Sequence, residues 1–263
     1  MSPEMIQLTL LSGALVGVLL GSFGGGGSVL AAPLLVYLVG VQDPHVAIGT
    51  SAAGVGLIAL LGLFGHWRGG RVKWPCATVF ALCGLIGALL GSSLAKLIAG
   101  DLLMLGFSLA MAVIALSMVR HSAGSGDPDV ALTPGLVMRL APTGVVVGLA
   151  AGFFGIGGGF LIVPGLMMAT GMTMSNATAS SLVSVALFGG ATSANYAVSG
   201  YVDPTLLGLL LLGGLAGGLA GIVISRGLVP HQLLARRLFA LMILVVAVFV
   251  AGQAGSALLL EAR

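Results

Sequence analysis

Two stretches of this 263-residue chain put glycines in succession where a helix would carry side chains. The first is Gly21-Ser22-Phe23-Gly24-Gly25-Gly26-Gly27-Ser28, followed by Pro33. The second is Gly152-Phe153-Phe154-Gly155-Ile156-Gly157-Gly158-Gly159, followed by Pro164. A glycine-rich helix break leaves backbone N–H groups uncovered, and the short helix after it adds the positive end of its dipole. Such a break can cradle an anion. The glycines could instead serve a close helix crossing, but a crossing does not need them consecutively. The candidate binding residues are therefore Gly24, Gly25, Gly26, Gly27 and Ser28 in the first stretch, and Gly155, Gly157, Gly158 and Gly159 in the second.

A second pair of motifs lies downstream: His45-Val46-Ala47-Ile48-Gly49-Thr50-Ser51 and Asn176-Ala177-Thr178-Ala179-Ser180-Ser181. Hydroxyls donate to anion oxygens without a fixed positive charge, which favours release as much as binding. Thr50, Ser51, Thr178, Ser180 and Ser181 join the candidate site on that argument, with Asn176 beside them. The alternative is a bond from each hydroxyl to a carbonyl of its own helix, a habit of membrane Ser and Thr. His45 follows Asp43-Pro44 and reads as a helix-starting or interfacial residue. Trp67 and Tyr196 read as members of an aromatic belt, and Tyr37, Trp74 and Tyr201 as further interface residues. Asn195, polar within an apolar run, suits a helix-to-helix hydrogen bond as well as a ligand role.

All seven acidic residues, Glu4, Asp43, Asp101, Asp127, Asp129, Asp203 and Glu261, fall in loops, segment ends or tails. That pattern speaks against a cation pump or metal carrier, which buries carboxylates. Neither His-x-x-Glu-His nor a buried Asp pair is present, so no catalytic residue, metal ligand or cofactor is expected, and the chain does not read as an enzyme. Cys76 and Cys83, seven apart, read as packing residues. No basic run suggests nucleic acid.

The elements that must position these residues are membrane helices. Hydrophobic residues make up 58% of the chain and charged residues 6%, against about 25% charged in an ordinary soluble domain. The mean hydropathy is +1.19. Runs such as 206–212 and 241–250 do not alternate as β-barrel strands would, so the class is α-helical. The apolar N-terminus lacks a basic n-region and carries Glu4, so it reads as part of the mature protein. Segments are predicted near 6–22, 28–40, 46–66, 75–98 and 102–119, and again near 134–153, 159–171, 176–198, 204–226 and 232–255. The segments 28–40 and 159–171 are shorter than the roughly 17–25 residues of a full span, which predicts half-helices in re-entrant hairpins.

The two sets align. At a separation of 131, Gly17, Gly21, Phe23, Gly24 and Pro33 meet Gly148, Gly152, Phe154, Gly155 and Pro164. The same register sets His45 against Asn176, Ala47 against Thr178, Gly49 against Ser180 and Thr50 against Ser181. After a one-residue slip, Gly70, Gly84, Gly91 and Lys96 meet Gly200, Gly214, Gly221 and Arg226. Basic residues then divide eight against two, with Arg68, Arg71 and Lys73 on the cytoplasmic side. The expected fold is an all-α integral membrane protein of two inverted-topology repeats, each of about five helical segments. Residues 1–121 form one transmembrane repeat, 122–132 a cytoplasmic linker and 133–263 the other.

The doubled glycine cluster with its trailing proline, together with the His45–Ser51 and Asn176–Ser181 motifs, resembles the paired repeats of the TauE/SafE family of sulfite and organosulfonate exporters. The resemblance covers nearly the whole chain. It implies a multi-pass transporter of the bacterial inner membrane carrying a small sulfur-containing anion, sulfite or a sulfonate such as sulfoacetate, usually outward. An anion channel, or a carrier of thiosulfate, sulfate or a carboxylate, is the alternative. The expected partners are the anion and the lipid bilayer; a homodimer is left open, and nucleic acid is not expected.

Overall fold

The computed structural model describes residues 2–120, 126–155, 159–228 and 232–261. Helix α1 (Pro3–Phe23) starts from Ser2, whose Oγ accepts the Met5 N–H at 3.2 Å, with Pro3 in the first turn. The chain then tightens into a 3₁₀ helix (Gly24–Leu30), passes through one α-turn, α2 (Ala31–Pro33), and widens into a π-helical turn (Leu34–Leu38). Helices α3 (Pro44–Arg68), α4 (Trp74–Ala95) and α5 (Gly100–Arg120) complete the first half. The second half holds α6 (Pro134–Phe154), α7 (Gly159–Thr170), α8 (Met174–Val198), α9 (Pro204–Leu228) and α10 (Gln232–Glu261). Proline in the first turn and a capping side chain, Asp43 for α3 and Thr133 for α6, fix where two of the long helices begin.

Among the described residues, six helices are long and apolar enough to cross a membrane. Their outer faces carry large apolar residues such as Ile86, Val146 and Val223, each more than 60% exposed. No strand pairs into a sheet among the described residues. The chain is an all-α, multi-spanning membrane protein.

After both short segments the chain lies close to the start of the helix before them. Val39 and Val41 are buried in one cluster with Met5 and Leu8 from the start of α1. In the second half the Asp127 N–H donates to the Gly171 carbonyl at 2.9 Å, and Asn176 Nδ2 to the Pro128 carbonyl at 2.9 Å. The residues before α6 thus meet the residues after α7. At 1.5 Å per residue the 12 residues of α7 span about 18 Å, well short of a hydrocarbon core of about 30 Å. Among the described residues the two short segments differ in their helical form. α7 is regular, whereas Gly24–Gly27 coil tightly enough for Gly27 to lie on the backbone of Leu19 and Leu20. Four residues without side chains allow that approach.

Glycine governs the long crossings as well. Gly13, Gly17 and Gly21 of α1 press on the α9 backbone at Leu210, Gly214 and Gly218. Gly144, Gly148 and Gly152 of α6 press on Phe80, Gly84 and Ala88 of α4. α3 packs on α8 and α5 on α10. Each first segment therefore lies on the fourth segment of the other half, and third and fifth segments lie on their counterparts.

Among the described residues, the six positive-φ glycines fall into corresponding pairs: Gly24 (62°) with Gly155 (67°), Gly40 (83°) with Gly171 (72°), and Gly70 (66°) with Gly200 (76°). The first two pairs are 131 apart and the third 130. The caps Asp43 and Thr173 are already 130 apart. The extra residue therefore sits in the Gly40–Asp43 loop, ahead of α3. This moves the register expected for the hydroxyl motifs by one: Thr50 corresponds to Ser180 and Ser51 to Ser181.

Candidate functional site

The two glycine breaks touch. A Cβ on Gly25 would stand 2.9 Å from the Gly159 Cα, and one on Gly159 would overlap the Gly25 backbone. Every residue of Gly24–Ser28 is buried, as is Gly159. Gly157 and Gly158, also expected here, lie outside the described residues.

α8 supplies the polar wall. The Gly25 N–H donates to Ser181 Oγ at 3.2 Å, and Ser181 Oγ donates to the Thr178 carbonyl at 2.8 Å. Ser28 Oγ donates to the Gly25 carbonyl at 2.8 Å, closing the break on itself. Gly24, held at positive φ, leaves room for Thr178, whose carbonyl and Cγ2 occupy the space a side chain would need. On the other side, Gly155 makes the same allowance for Ile48 of α3, whose carbonyl accepts from Ser51 Oγ at 3.1 Å. Gly24 with Thr178 and Ser181, and Gly155 with Ile48 and Ser51, are thus matched nests around one contact.

Thr50 and Ser180 do different work. Each is fully buried, and each hydroxyl accepts from a loop N–H: Thr50 Oγ1 from Asp203 at 3.0 Å, Ser180 Oγ from Lys73 at 2.9 Å. They clasp the start of each third segment to the loop after the third segment of the other half. Asn176 points away to the linker carbonyl of Pro128.

The model of the family described as sulfite exporter TauE/SafE matches residues 9–250. The chain belongs to the TauE/SafE family. A probable membrane transporter protein of Xylella fastidiosa (strain 9a5c) is 44% identical over 251 residues, covering 95% of this chain and 96% of the relative. The probable membrane transporter protein YdhB of Bacillus subtilis is 27% identical, covering 89% of this chain and 95% of the relative. No solved structure matches. This TauE/SafE chain is a multi-pass inner-membrane protein and a membrane transporter rather than an enzyme, in line with its relatives.

The rest of the TauE/SafE polar inventory sorts by burial. Asn195 bridges helices, its Nδ2 donating to Ser92 Oγ at 2.7 Å and Ser93 Oγ at 2.9 Å, while its Oδ1 accepts from Lys96 Nζ at 2.9 Å. Trp67 is exposed and stacks edge-on with Trp74, as a belt residue would. Tyr196 does not belong to that belt. It is fully buried because it packs over Gly49, and its ring lies 6.1 Å from His45 and 6.1 Å from Tyr201. His45 starts α3 through its N–H to Asp43 Oδ1 at 2.8 Å. Cys76 and Cys83 are free thiols, Cys76 buried.

Sequence reading missed Ser184 and Thr192, buried hydroxyls on α8 without a hydrogen-bond partner. With Ser181 they continue one helical stripe at steps of three and eight residues, a spacing visible in the sequence.

Proposed function

We propose that this TauE/SafE chain is a secondary transporter that carries a small sulfur-containing anion, sulfite or an organosulfonate such as sulfoacetate, outward by alternating access. The observation that carries the reading is the buried meeting of two glycine-rich breaks at Gly25 and Gly159, lined by serine hydroxyls. A channel needs a continuous pore. Two half-helices meeting tip to tip instead give one central site that can face either side.

The anion takes the place of internal acceptors at the breaks. The Gly25 N–H already points at an oxygen, Ser181 Oγ, so an anion oxygen replaces one hydrogen bond by a charge-assisted one. Ser181, released from that role, turns its own hydroxyl toward the anion, and Ser28, Ser51 and Thr178 stand by in the same nests. The exchange keeps net binding weak, because every hydrogen bond to the anion displaces one inside the protein. Gly24, Gly26, Gly27, Gly155 and Gly159 keep the backbone approachable; Thr50 and Ser180 hold the frame rather than the ligand.

We read residues 1–121 and 133–263 as inverted repeats joined at 122–132. The exchange-invariant helix pairing and the three glycine pairs at positive φ support that division.

The deciding experiment is counterflow in proteoliposomes with sulfite, thiosulfate, sulfoacetate, taurine and sulfate. Saturable exchange of sulfite or sulfoacetate is the expected outcome. Unsaturable flux would assign a channel, and exchange of sulfate or a carboxylate alone would move the substrate class.

A further inference from the structure

A cavity of about 550 Å³ opens beside α7, between Ile114 of α5, Arg139, Pro142 and Thr143 of α6, and Leu161 and Pro164 of α7. Its volume lies within the roughly 300–1,000 Å³ of ligand sites. The walls are apolar except at one end. There the Thr143 hydroxyl is spent on the Arg139 carbonyl at 2.7 Å, and the Arg139 side chain has no acidic partner among the described residues. Lys73 pairs with Asp129 at 3.7 Å, which puts the start of α4 and the lead-in to α6 on one face. Arg139, five residues into α6, therefore lies about 8 Å below the start of that helix. That is where an arginine reaches the headgroup layer while its stem stays in hydrocarbon.

The other short segment has a matching crevice of about 200 Å³, lined by Leu30, Pro33, Leu34 and Tyr37 against Val246 and Phe249. Leu161 and Pro164 correspond to Leu30 and Pro33 at the 131-residue separation, and Met168 to Tyr37. Tyr37 closes edge-on against Phe249 at 5.8 Å between ring centroids, and no cation lines this crevice. Two equivalent places have thus diverged. One is filled by its own aromatic rings; the other is wider and ends in an arginine.

We propose that the larger groove binds an anionic phospholipid from the leaflet on the Lys73 side, with an acyl chain between α5, α6 and α7 and the phosphate on Arg139. A chain of methylenes suits the apolar walls, and a guanidinium takes a phosphate in two parallel hydrogen bonds. A small free anion has no use for the walls, and a zwitterionic lipid leaves the arginine partly uncompensated. The lipid braces α7, whose first residue, Gly159, forms the contact with Gly25. Transport then depends on anionic lipid content, although lipid binding itself does not rest on the substrate assignment.

Native mass spectrometry of the detergent-purified full chain tests this with phosphatidylglycerol and phosphatidylcholine of identical acyl chains. One retained phosphatidylglycerol, favoured several-fold over phosphatidylcholine, is expected. Arg139→Gln removes the preference, Ile114→Trp removes retention of both lipids, and Arg139→Lys keeps part of the preference. Arg68→Gln, a cation stacked 4.5 Å over Phe64 outside the groove, leaves it intact. Equal retention of the two lipids by the parent chain, an undiminished preference in Arg139→Gln, or one-for-one displacement of lipid by sulfite or sulfoacetate overturns the proposal. Size-exclusion elution and helical circular dichroism matching the parent show that the variants are folded.

Discussion

The backbone N–H of Lys73 donates to Ser180 Oγ at 2.9 Å, fastening the loop ahead of α4 to the first turns of α8. Asp203 and Thr50 repeat the bond at 3.0 Å in the other direction. Both hydroxyls are fully buried, so Ser180→Ala or Thr50→Val strands a donor at a cost of about 1–3 kcal/mol. Thermal unfolding in detergent should show the loss for each variant, with substrate KM unchanged. A KM effect without a stability effect would return these residues to the binding site.

Ser181→Ala should change KM as well as stability. It removes the acceptor of the Gly25 N–H and, under the proposed mechanism, a donor to the anion. A hydrogen bond to a charged group contributes about 1.5–3 kcal/mol, so the counterflow KM should rise about tenfold or more. Unchanged kinetics would remove Ser181 from the site.

Gly159→Ala places a methyl on the Gly25 backbone. Transport should fall to background while the protein still inserts in the membrane. Gly26→Ala and Gly158→Ala test the same need for open backbone. Wild-type counterflow in all three, at equal protein level, would refute the central contact as the site.

Crossing glycines and idle glycines should separate cleanly. Gly148→Ala drives a Cβ into the Gly84 carbonyl, whereas a Cβ on Gly208 meets nothing within 4 Å. Overpacking predicts a loss of about 1–3 kcal/mol for Gly148→Ala. Gly208→Ala should be neutral or stabilising by up to about 1 kcal/mol, through helix propensity. Thermal denaturation of the two variants side by side checks the difference.

Spans and breaks were legible because their signals are local: apolar runs, proline at helix starts and consecutive glycines. The register of the second motif was not. Its shift lies in Val41-Gln42-Asp43 against Met172-Thr173, where no repeated residue marks the extra position; only the caps and hydrogen bonds reveal it. Tyr196 was misread for a related reason. Hydropathy places a tyrosine at a helix end but does not show that Gly49 of another helix stands opposite and draws it inside. The hydroxyls were found as a group, yet their division into clasps and site residues depends on which loop N–H reaches them, a long-range fact.

The α1–α9 crossing also bears on how the chain is made. The glycine face of α1 meets its partner only when α9 emerges, roughly 200 residues later, on the order of 10–40 s at about 5–20 residues per second. Throughout that interval Gly13, Gly17 and Gly21 face lipid or the insertion machinery, while α4 and α6, close in sequence, can pair at once. Assembly of these helices therefore proceeds from the middle outward, and α1, made long before α9, waits longest for its neighbour.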